Sequence, residues 1–419
     1  MPNIKPFKGV LYDPKKIKDL TKVVAPPYDI IPKKMQDELY RKSPYNIVRL
    51  ELNKTKPSDS AIDNRYTRAK KCFASWLASG VLAQDRKEAI YVYSQKYKVG
   101  GKPVERFGFM ALMEIEDKSG KKVLPHENTL LAPKMDRLSL MREVKANLSP
   151  IFVLYDDRAH GICAILRRVA SEKKPFIDVV FEGARNRAWK MDEPGDIRKA
   201  ERIMAGADTF IADGHHRFEV SRMYSAEANN QGSKYVMVYF VESDEDMLTV
   251  LAAHRLAVDI GSLTKAGVLE RLEKFFHIKK ARDLKTVMSS LEALKDKHVF
   301  GMYLGKGEFY VLTLKDIAAV DRAVQNKPRD WKRLDVSILH LFIFQHVLGI
   351  KDDDENIEFV KSAQETAAFV DTKKFKLAFF LNPTKVAEVK RIARLGEKMP
   401  RKATYFYPKP ISGIVINKH

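Results

Sequence analysis

The stretch Thr209–Glu219, TFIADGHHRFE, constrains the fold more than any other part of the chain. Thr209 to Ala212 is a short apolar run of strand type, and Asp213-Gly214 is a tight-turn pair. From His215 the residues Val220, Met223 and Tyr224 recur at i, i+3, i+4, which predicts a helix, and Asn230-Gln231-Gly232 is its stop signal. A strand must hand over almost at once to a helix whose first turn carries two imidazoles and a guanidinium. The first amides and the positive dipole end of such a helix favour anions. Arg217 adds a planar fork that suits a phosphate or a carboxylate. Asp213 stands just before the turn, where it can cap the helix, hold a metal ion such as Mg2+, or take a proton from a substrate. A plain N-cap followed by solvated histidines is the ordinary alternative. The density of Asp, Gly, His, His and Arg at consecutive positions argues for a site.

At 419 residues the chain has room for a large core and, at roughly 150–200 residues each, for two domains. A hydrophobic share of 45% with 10% aromatics excludes a disordered chain. The formal net charge of +21, from 75 basic against 54 acidic residues, favours nucleotides, nucleic acids or phosphorylated metabolites as partners. That charge is spread along the chain instead of gathering in a tail, so much of it is expected on solvated surface. Cys72 and Cys163 form no CxxC pair, which argues against a disulfide framework and a cysteine zinc site. The N-terminus lacks a signal-peptide core, and no stretch approaches the roughly 20 apolar residues needed to span a bilayer. A cytoplasmic protein without membrane contact is expected; homo-oligomerisation stays open.

Along the chain, Ile4–Tyr12 reads as an opening strand. Pro26-Pro27 then fixes an extended backbone that presents Tyr28 and Asp29. Pro32–Lys42 reads as a helix, and the alternation from Ile47 to Leu52 as a strand with Arg49 and Glu51 on one face. Arg65–Ser79 is an amphipathic helix. Ala89–Lys98 and Val104–Glu116 form a hairpin around Gly100-Gly101-Lys102. His126-Glu127 is a candidate acid–base or metal pair, followed by a helix over Leu138–Asn147. Lys134 and Arg137 stand near the start of that helix, against the dipole, a hint that they serve an anionic ligand. Strands are expected at Ser149–Tyr155, Phe176–Glu182, Asn186–Met191 and Lys234–Val241, with helices at Ala159–Ser171 and Asp196–Gly206. Strand, Asp-Gly turn, helix and strand outline a βαβ-like unit.

From Gly261 the chain becomes helix-rich and charged, which sets a boundary near residue 258: an α/β domain over 1–258 and an α+β domain over 259–419. Asp335–Leu348 is a helix with Leu339, Phe342, Ile343 and His346 on its apolar side; His340 and His346 do not share a face and read as structural or surface residues. Gly396–Pro410 interleaves basic and aromatic residues, either as an ordered crossing or as a basic lip over an anionic site, and Ile411–Asn417 should close a sheet. The segment 396–417 is expected to pack back toward the site. Walker-type phosphate loops, GxGxxG, HExxH, GxSxG and the kinase signatures are all missing.

Several spaced segments resemble the prokaryotic DUF-1015 family: Ala25–Ile31, Ser43–Leu52, Leu124–Leu138, Ala146–Tyr155, Ala212–Glu219 and Gly396–Asn417. ADGHHR also resembles the DGH-x-R loop of the ParB/sulfiredoxin-like superfamily, which includes partition proteins, sulfiredoxins and free-serine kinases. The two likenesses imply an α+β fold with a ParB/sulfiredoxin-like nucleotide-binding core and a C-terminal α+β extension. They imply that Gly214, His215, His216 and Arg217 bind nucleotide phosphates and that Asp213 sits near a substrate hydroxyl. No cysteine lies in the loop, which disfavours sulfiredoxin chemistry. The kinases also use a glutamate outside the loop, for which Glu127 and Glu51 are the candidates.

The expected activity is phosphoryl transfer from ATP or ADP, with Mg2+, to a small hydroxylated metabolite such as free serine. Asp213, His216 and Glu127 would be catalytic; Lys134, Arg137 and Lys398 would neutralise phosphate charge; Tyr28, Asp29, Arg49 and His126 would line the substrate. A nucleotide-sensing or nucleic-acid-binding protein of the ParB type is the first alternative. A metal-dependent phosphohydrolase using His126, His215, His216 and His254 is the second.

Overall fold

The long hairpin is the spine of the first half of the molecule. In the computed structural model, strands Ile90–Val99 and Lys102–Glu114 pair antiparallel, in register from Tyr91–Met110 to Val99–Lys102. Gly100 and Gly101 turn between them at φ of 55° and 82°, a region open mainly to glycine. The described residues are 3–115, 123–127, 129, 131–228, 230–244, 248–353, 355–372 and 374–419. Glu116, the expected end of the hairpin, lies outside them. Helices and mixed sheets make the protein α+β. No helix among the described residues is long and apolar enough to cross a membrane.

The chain forms two compact units. Unit 1 comprises Met1–Pro125, Thr129–Thr249 and Pro408–His419; unit 2 comprises His126–Asn128 and Val250–Tyr407. The chain therefore crosses between units more than once, where the sequence suggested a single cut near residue 258.

In unit 1 a nine-stranded mixed sheet runs, among the described residues, in the order Val123–Leu124, Thr209–Asp213, Ile151–Tyr155, Tyr235–Glu242, Lys102–Glu114, Ile90–Val99, Ala184–Met191, Ile177–Phe181; Ile4–Lys5 pairs with Lys102–Glu114. One face buries Val92, Phe109, Val153 and Phe240 against helices Gly161–Glu172 and Pro194–Met204. A second core gathers Leu39, Val48, Phe73 and Trp76 from helices Lys33–Lys42, Val48–Glu51 and Arg65–Ala78.

Unit 2 holds a six-stranded antiparallel sheet ordered Phe276–Ala281, Phe309–Leu314, Val299–Tyr303, Leu377–Phe380, His254–Ala257, Ile357–Val360. Successive strand residues feed opposite faces. Phe379 enters a core with Leu272 and Phe342, and Phe380 one with Val287 and Ala367.

Several expected elements differ. Ile47–Leu52 is no strand: the Asn46 side chain accepts from the Val48 amide at 3.0 Å, and Leu52 N–H reaches the Val48 carbonyl at 2.8 Å. An Asx turn and one helical turn, Val48–Glu51, replace the extended run. The helix expected at Leu138–Asn147 is Leu131–Val144, with Pro133 in its first turn, where a missing N–H costs nothing. Lys145, at φ 51°, ends it. The opening strand splits into Ile4–Lys5 and Val10–Tyr12 around Pro6, which cannot donate to a ladder. Gly413, at φ 95°, interrupts the closing strand, leaving single bridges at Ser412 and Ile416 and the pair Asn417–Lys418. The order strand, corner, helix, strand holds, and the strand direction, which the sequence leaves open, is not that of a parallel βαβ unit. Tyr235–Glu242 is parallel to Ile151–Tyr155 but Thr209–Asp213 is antiparallel to it, so the strands flanking the central helix oppose each other. Ile338–Leu348 winds as a wide π-helix, which exposes His346 and buries His340.

Candidate functional site

The strand Thr209–Asp213 pairs with Ile151–Tyr155 in regular register through Ile211, opposite Val153. Asp213 then lies opposite Phe152, so two residues face one and the ladder bulges at the last strand position. Such a bulge re-aims a side chain and is common beside active sites. Helix His215–Ala228 starts two residues later, as its sequence periodicity requires. Gly214, at φ 91°, makes the corner, and a Cβ on it would lie 3.0–3.2 Å from the Arg217 guanidinium. Both the positive φ and the close guanidinium favour glycine at the corner, where Arg217 folds back over its own turn.

Arg217 donates to the Asp213 carboxylate at 2.6 Å, to Ser149 Oγ at 3.1 Å and to the Pro150 carbonyl. The other Asp213 oxygen takes Lys409 Nζ at 2.6 Å, and the same ammonium reaches Asp29. Asp213 is thus bracketed by two cations, with its side chain 17% exposed and that of Lys409 8% exposed. Burial works to raise the Asp213 carboxyl, but Lys409 and Arg217 outweigh it and hold it below the ordinary carboxylate range. Burial works to lower Lys409, and Asp213 with Asp29 reverses that and raises it. Arg217 is likewise raised by Asp213 against the pull of burial.

Lys409 stands between Pro408 and Pro410, which favour an extended backbone. The sheet holds that backbone from below. Arg106, fully buried, donates to Gln95 and to the Pro408 carbonyl. Gln95 donates to the Lys409 carbonyl at 3.2 Å and to Asn186 at 3.2 Å, while Tyr93 donates to Asn186 at 2.5 Å. This polar ladder fixes where the lysine emerges.

Beside Arg217 lies a cavity of about 50 Å3, with Tyr28, Glu51, Arg137, Ser149 and Arg217 among its polar lining. It has room for a few waters or a hydroxymethyl-sized group. Glu51 is 3% exposed; one oxygen accepts from Ser149 Oγ, and the other, Oε2, has no hydrogen-bond partner among the described residues. Arg137 donates to the Glu51 carbonyl at 2.6 Å, lies 4.2 Å from the centre of the Tyr28 ring, and pairs with Asp136. Asp136 also accepts from Tyr66 at 2.7 Å and from Arg65. Burial pushes the Tyr28 phenol up.

Asp213, Gly214, His215, Arg217, Tyr28, Asp29 and Arg137 therefore belong to one neighbourhood of unit 1. His215 is buried and adds positive potential at Asp213; His216 is half-buried. Lys134 is half-buried in the first turn of its helix, and Arg137 stands in the second turn, not at the helix start. Arg49 leaves the substrate list: it donates to the Tyr40 carbonyl at 2.9 Å and stacks on the Tyr40 ring at 4.2 Å, capping the end of helix Lys33–Lys42. His126, Glu127 and Lys398 fall in unit 2. There His126 Nε2 pairs with Thr404 Oγ1 at 3.1 Å, and the Lys398 carbonyl accepts from Trp331 Nε1 at 2.7 Å.

The histidine set of the second, metal-dependent alternative is not assembled among the described residues. His254 is buried in unit 2, where burial pushes it down to about 4, and among the described residues no three His, Cys, Asp or Glu side chains gather to hold a metal. Asp213 does not fit Mg2+ either, because a cation already sits on each of its oxygens. Lys409 is not among the sequence candidates: it lies inside the basic–aromatic stretch, but nothing local distinguishes it from Lys398. Glu51 is one of the two glutamate candidates, and it lines the cavity beside Arg217.

A family model described as "Protein of unknown function (DUF1015)" matches residues 4–337. The chain belongs to this family. No curated protein matches it. Among solved structures, a free serine kinase mutant in complex with AMP superposes with a TM-score of 0.35 at 12% identity, covering 71% of this chain and 87% of that one. A conserved hypothetical protein from Pyrococcus furiosus gives 0.34 at 13%, covering 71% and 90%. SbnI with C-terminal truncation from Staphylococcus aureus gives 0.35 at 11%, covering 73% and 86%. At that level of superposition the likenesses assign no residue or activity to this DUF1015 chain.

Proposed function

We propose that this DUF1015 protein transfers a phosphoryl group from ATP or ADP to a small hydroxylated metabolite such as free serine. The observation that carries the reading is Glu51: a buried carboxylate with an unpartnered oxygen, in a cavity sized for a hydroxymethyl group, beside Arg217 and Arg137. A buried carboxylate oxygen lacking a donor is costly unless something is to be bound there.

In this reading the acceptor hydroxyl enters the cavity and the nucleotide phosphates approach Arg217 and Lys409. The acceptor oxygen bonds to the terminal phosphorus, the bond from that phosphorus to its bridging oxygen breaks, and the hydroxyl proton passes to Glu51 Oε2. The leaving nucleotide keeps the bridging oxygen as a phosphate oxygen, and its charge is met by the two cations. Asp213 does not act as the base, since both its oxygens already carry cations. It sets the positions of Lys409 and Arg217 instead, and positioning with charge neutralisation is most of what phosphoryl transfer needs. No step is assigned to a metal.

The test mixes the protein with ATP or ADP, with and without Mg2+, and a panel of hydroxylated metabolites headed by L-serine, and follows 31P NMR. A new phosphomonoester is expected, formed at least about 100-fold more slowly by Glu51→Gln, the usual scale for a lost general base. Absence of product with every acceptor, together with no nucleotide-induced rise in Tm, would reject the reading.

A further inference from the structure

The nine-stranded sheet of unit 1 ends on Ile177–Phe181, which pairs on one side only, with Ala184–Met191. Glu182 and Gly183, at φ of 47° and 77°, make the two-residue turn between them. Such a turn leaves its flanking residues, Phe181 and Ala184, as a hydrogen-bonded pair, and Val179 with Asn186 and Ile177 with Ala188 follow in the same phase. The turn at Gly100-Gly101 fixes that phase from the other side. It assigns Arg185, Arg187 and Trp189 to Ile90–Val99 and leaves Ala184, Asn186 and Ala188 to bond Ile177–Phe181. Asp178 and Val180 therefore turn their backbone N–H and C=O groups off the sheet. No hydrogen bond between described residues reaches those groups.

Open edges are normally guarded by charge, proline or brevity. The strand at the opposite end of this sheet, Val123–Leu124, is two residues long. Ile177–Phe181 has no such guard. Val180 is 61% exposed. The one charged side chain of the strand, Asp178, is drawn back toward the sheet by two 2.7 Å hydrogen bonds from Arg185. A cleft of about 540 Å3 along 180–182, with Met35, Leu39 and Phe181 among its walls, leaves room beside the strand end.

The two outward residues stand symmetrically about Val179. An antiparallel copy of the same strand, with a two-fold axis at Val179, sets Asp178 opposite the partner's Val180, and these are the residues with bonding groups to offer. Val179 then meets the partner's Val179, and Ile177 meets the partner's Phe181, so apolar faces apolar on the inner side. Asp178 keeps Arg185, and no like charges come opposite each other.

We propose that Ile177–Phe181 is a self-complementary docking edge that joins two copies of this chain into one continuous sheet. The contact is isologous and short, so the dimer forms reversibly with concentration. It uses none of the residues assigned to phosphoryl transfer and is independent of that reading.

Sedimentation equilibrium of the full-length protein tests it, and a concentration-dependent monomer–dimer equilibrium is expected. Val180→Pro removes an outward N–H and no bond to Ala184–Met191. It should raise the dimer dissociation constant at least about tenfold while the monomer keeps the wild-type circular dichroism. Val180→Lys keeps the backbone and adds a guarding charge; it should weaken the dimer likewise, and it decides the matter if proline unfolds the edge. Disulfide trapping reads the register. Opposed non-bonded residues of an antiparallel pair have Cα atoms about 4.5 Å apart, within disulfide reach. Val179→Cys should therefore cross-link to its own copy on oxidation, and Val180→Cys should not, with wild type, which carries Cys72 and Cys163, as the blank. Three results would overturn the proposal: a monomer at every concentration, a dimer that the folded Val180 variants leave unchanged, or cross-linking at position 180 without cross-linking at 179.

Discussion

Four residues, Asp213, Lys409, Glu51 and Gly214, carry most of the testable content of the site. Asp213 has a folded-state pKa below its unfolded value of about 3.9. A depressed carboxyl adds stability above the unfolded pKa and loses it as pH falls through the folded pKa. Lys409 is the opposite case: raised, it adds stability below its unfolded value of about 10.4 and loses it as pH rises through the folded one. Asp213→Asn leaves Lys409 and Arg217 buried with one fewer anion, so a loss of about 3–5 kcal/mol at neutral pH is expected. The acid limb of its Tm–pH curve below about pH 4 should flatten against wild type. Glu51→Gln should behave differently. It removes a charge that has no donor on Oε2, so its Tm should match or exceed wild type while transfer collapses. A large fall in Tm would instead mark Glu51 as structural. Gly214→Ala meets both a left-handed corner and the Arg217 guanidinium, and about 1–3 kcal/mol of destabilisation is expected in urea unfolding.

Among the elements, the C-terminal segment depends on the sheet beneath it. Arg106→Met should remove the donor shared by Gln95 and the Pro408 carbonyl, costing about 1–3 kcal/mol per acceptor left bare. Hydrogen exchange should rise in 408–419 while the strands Ile90–Val99 and Lys102–Glu114 stay protected, and nucleotide-induced stabilisation should be lost. Unchanged exchange in that segment would remove the polar ladder from the account of Lys409. The elements most legible in the sequence are those fixed by their own periodicity: the hairpin, helix Arg65–Ala78, and the strand–corner–helix at Asp213. Those misread turn on one residue outranking the pattern. Asn46 starts a turn where Ile47–Leu52 alternates like a strand, and Gly413 breaks a run of β-formers.

At the scale of the molecule, the +21 net charge is spread over the sequence. A dispersed charge should give weak association with duplex DNA at low salt, without sequence preference, that disappears near physiological ionic strength. Tight binding at that salt with a base preference would favour the nucleic-acid reading instead. The strand end, the glycine corner and the helix start at His215 follow from sequence alone, because turn chemistry and helical spacing act over a few neighbouring residues. Which cation meets Asp213, and which glutamate shares its neighbourhood, does not. Asp213 and Lys409 are nearly two hundred residues apart, and Glu51 is far upstream of both. Only the sheet order, and the polar ladder that returns Pro408–His419 to unit 1, bring them together, since pairing across such separations is set by packing and not by local pattern.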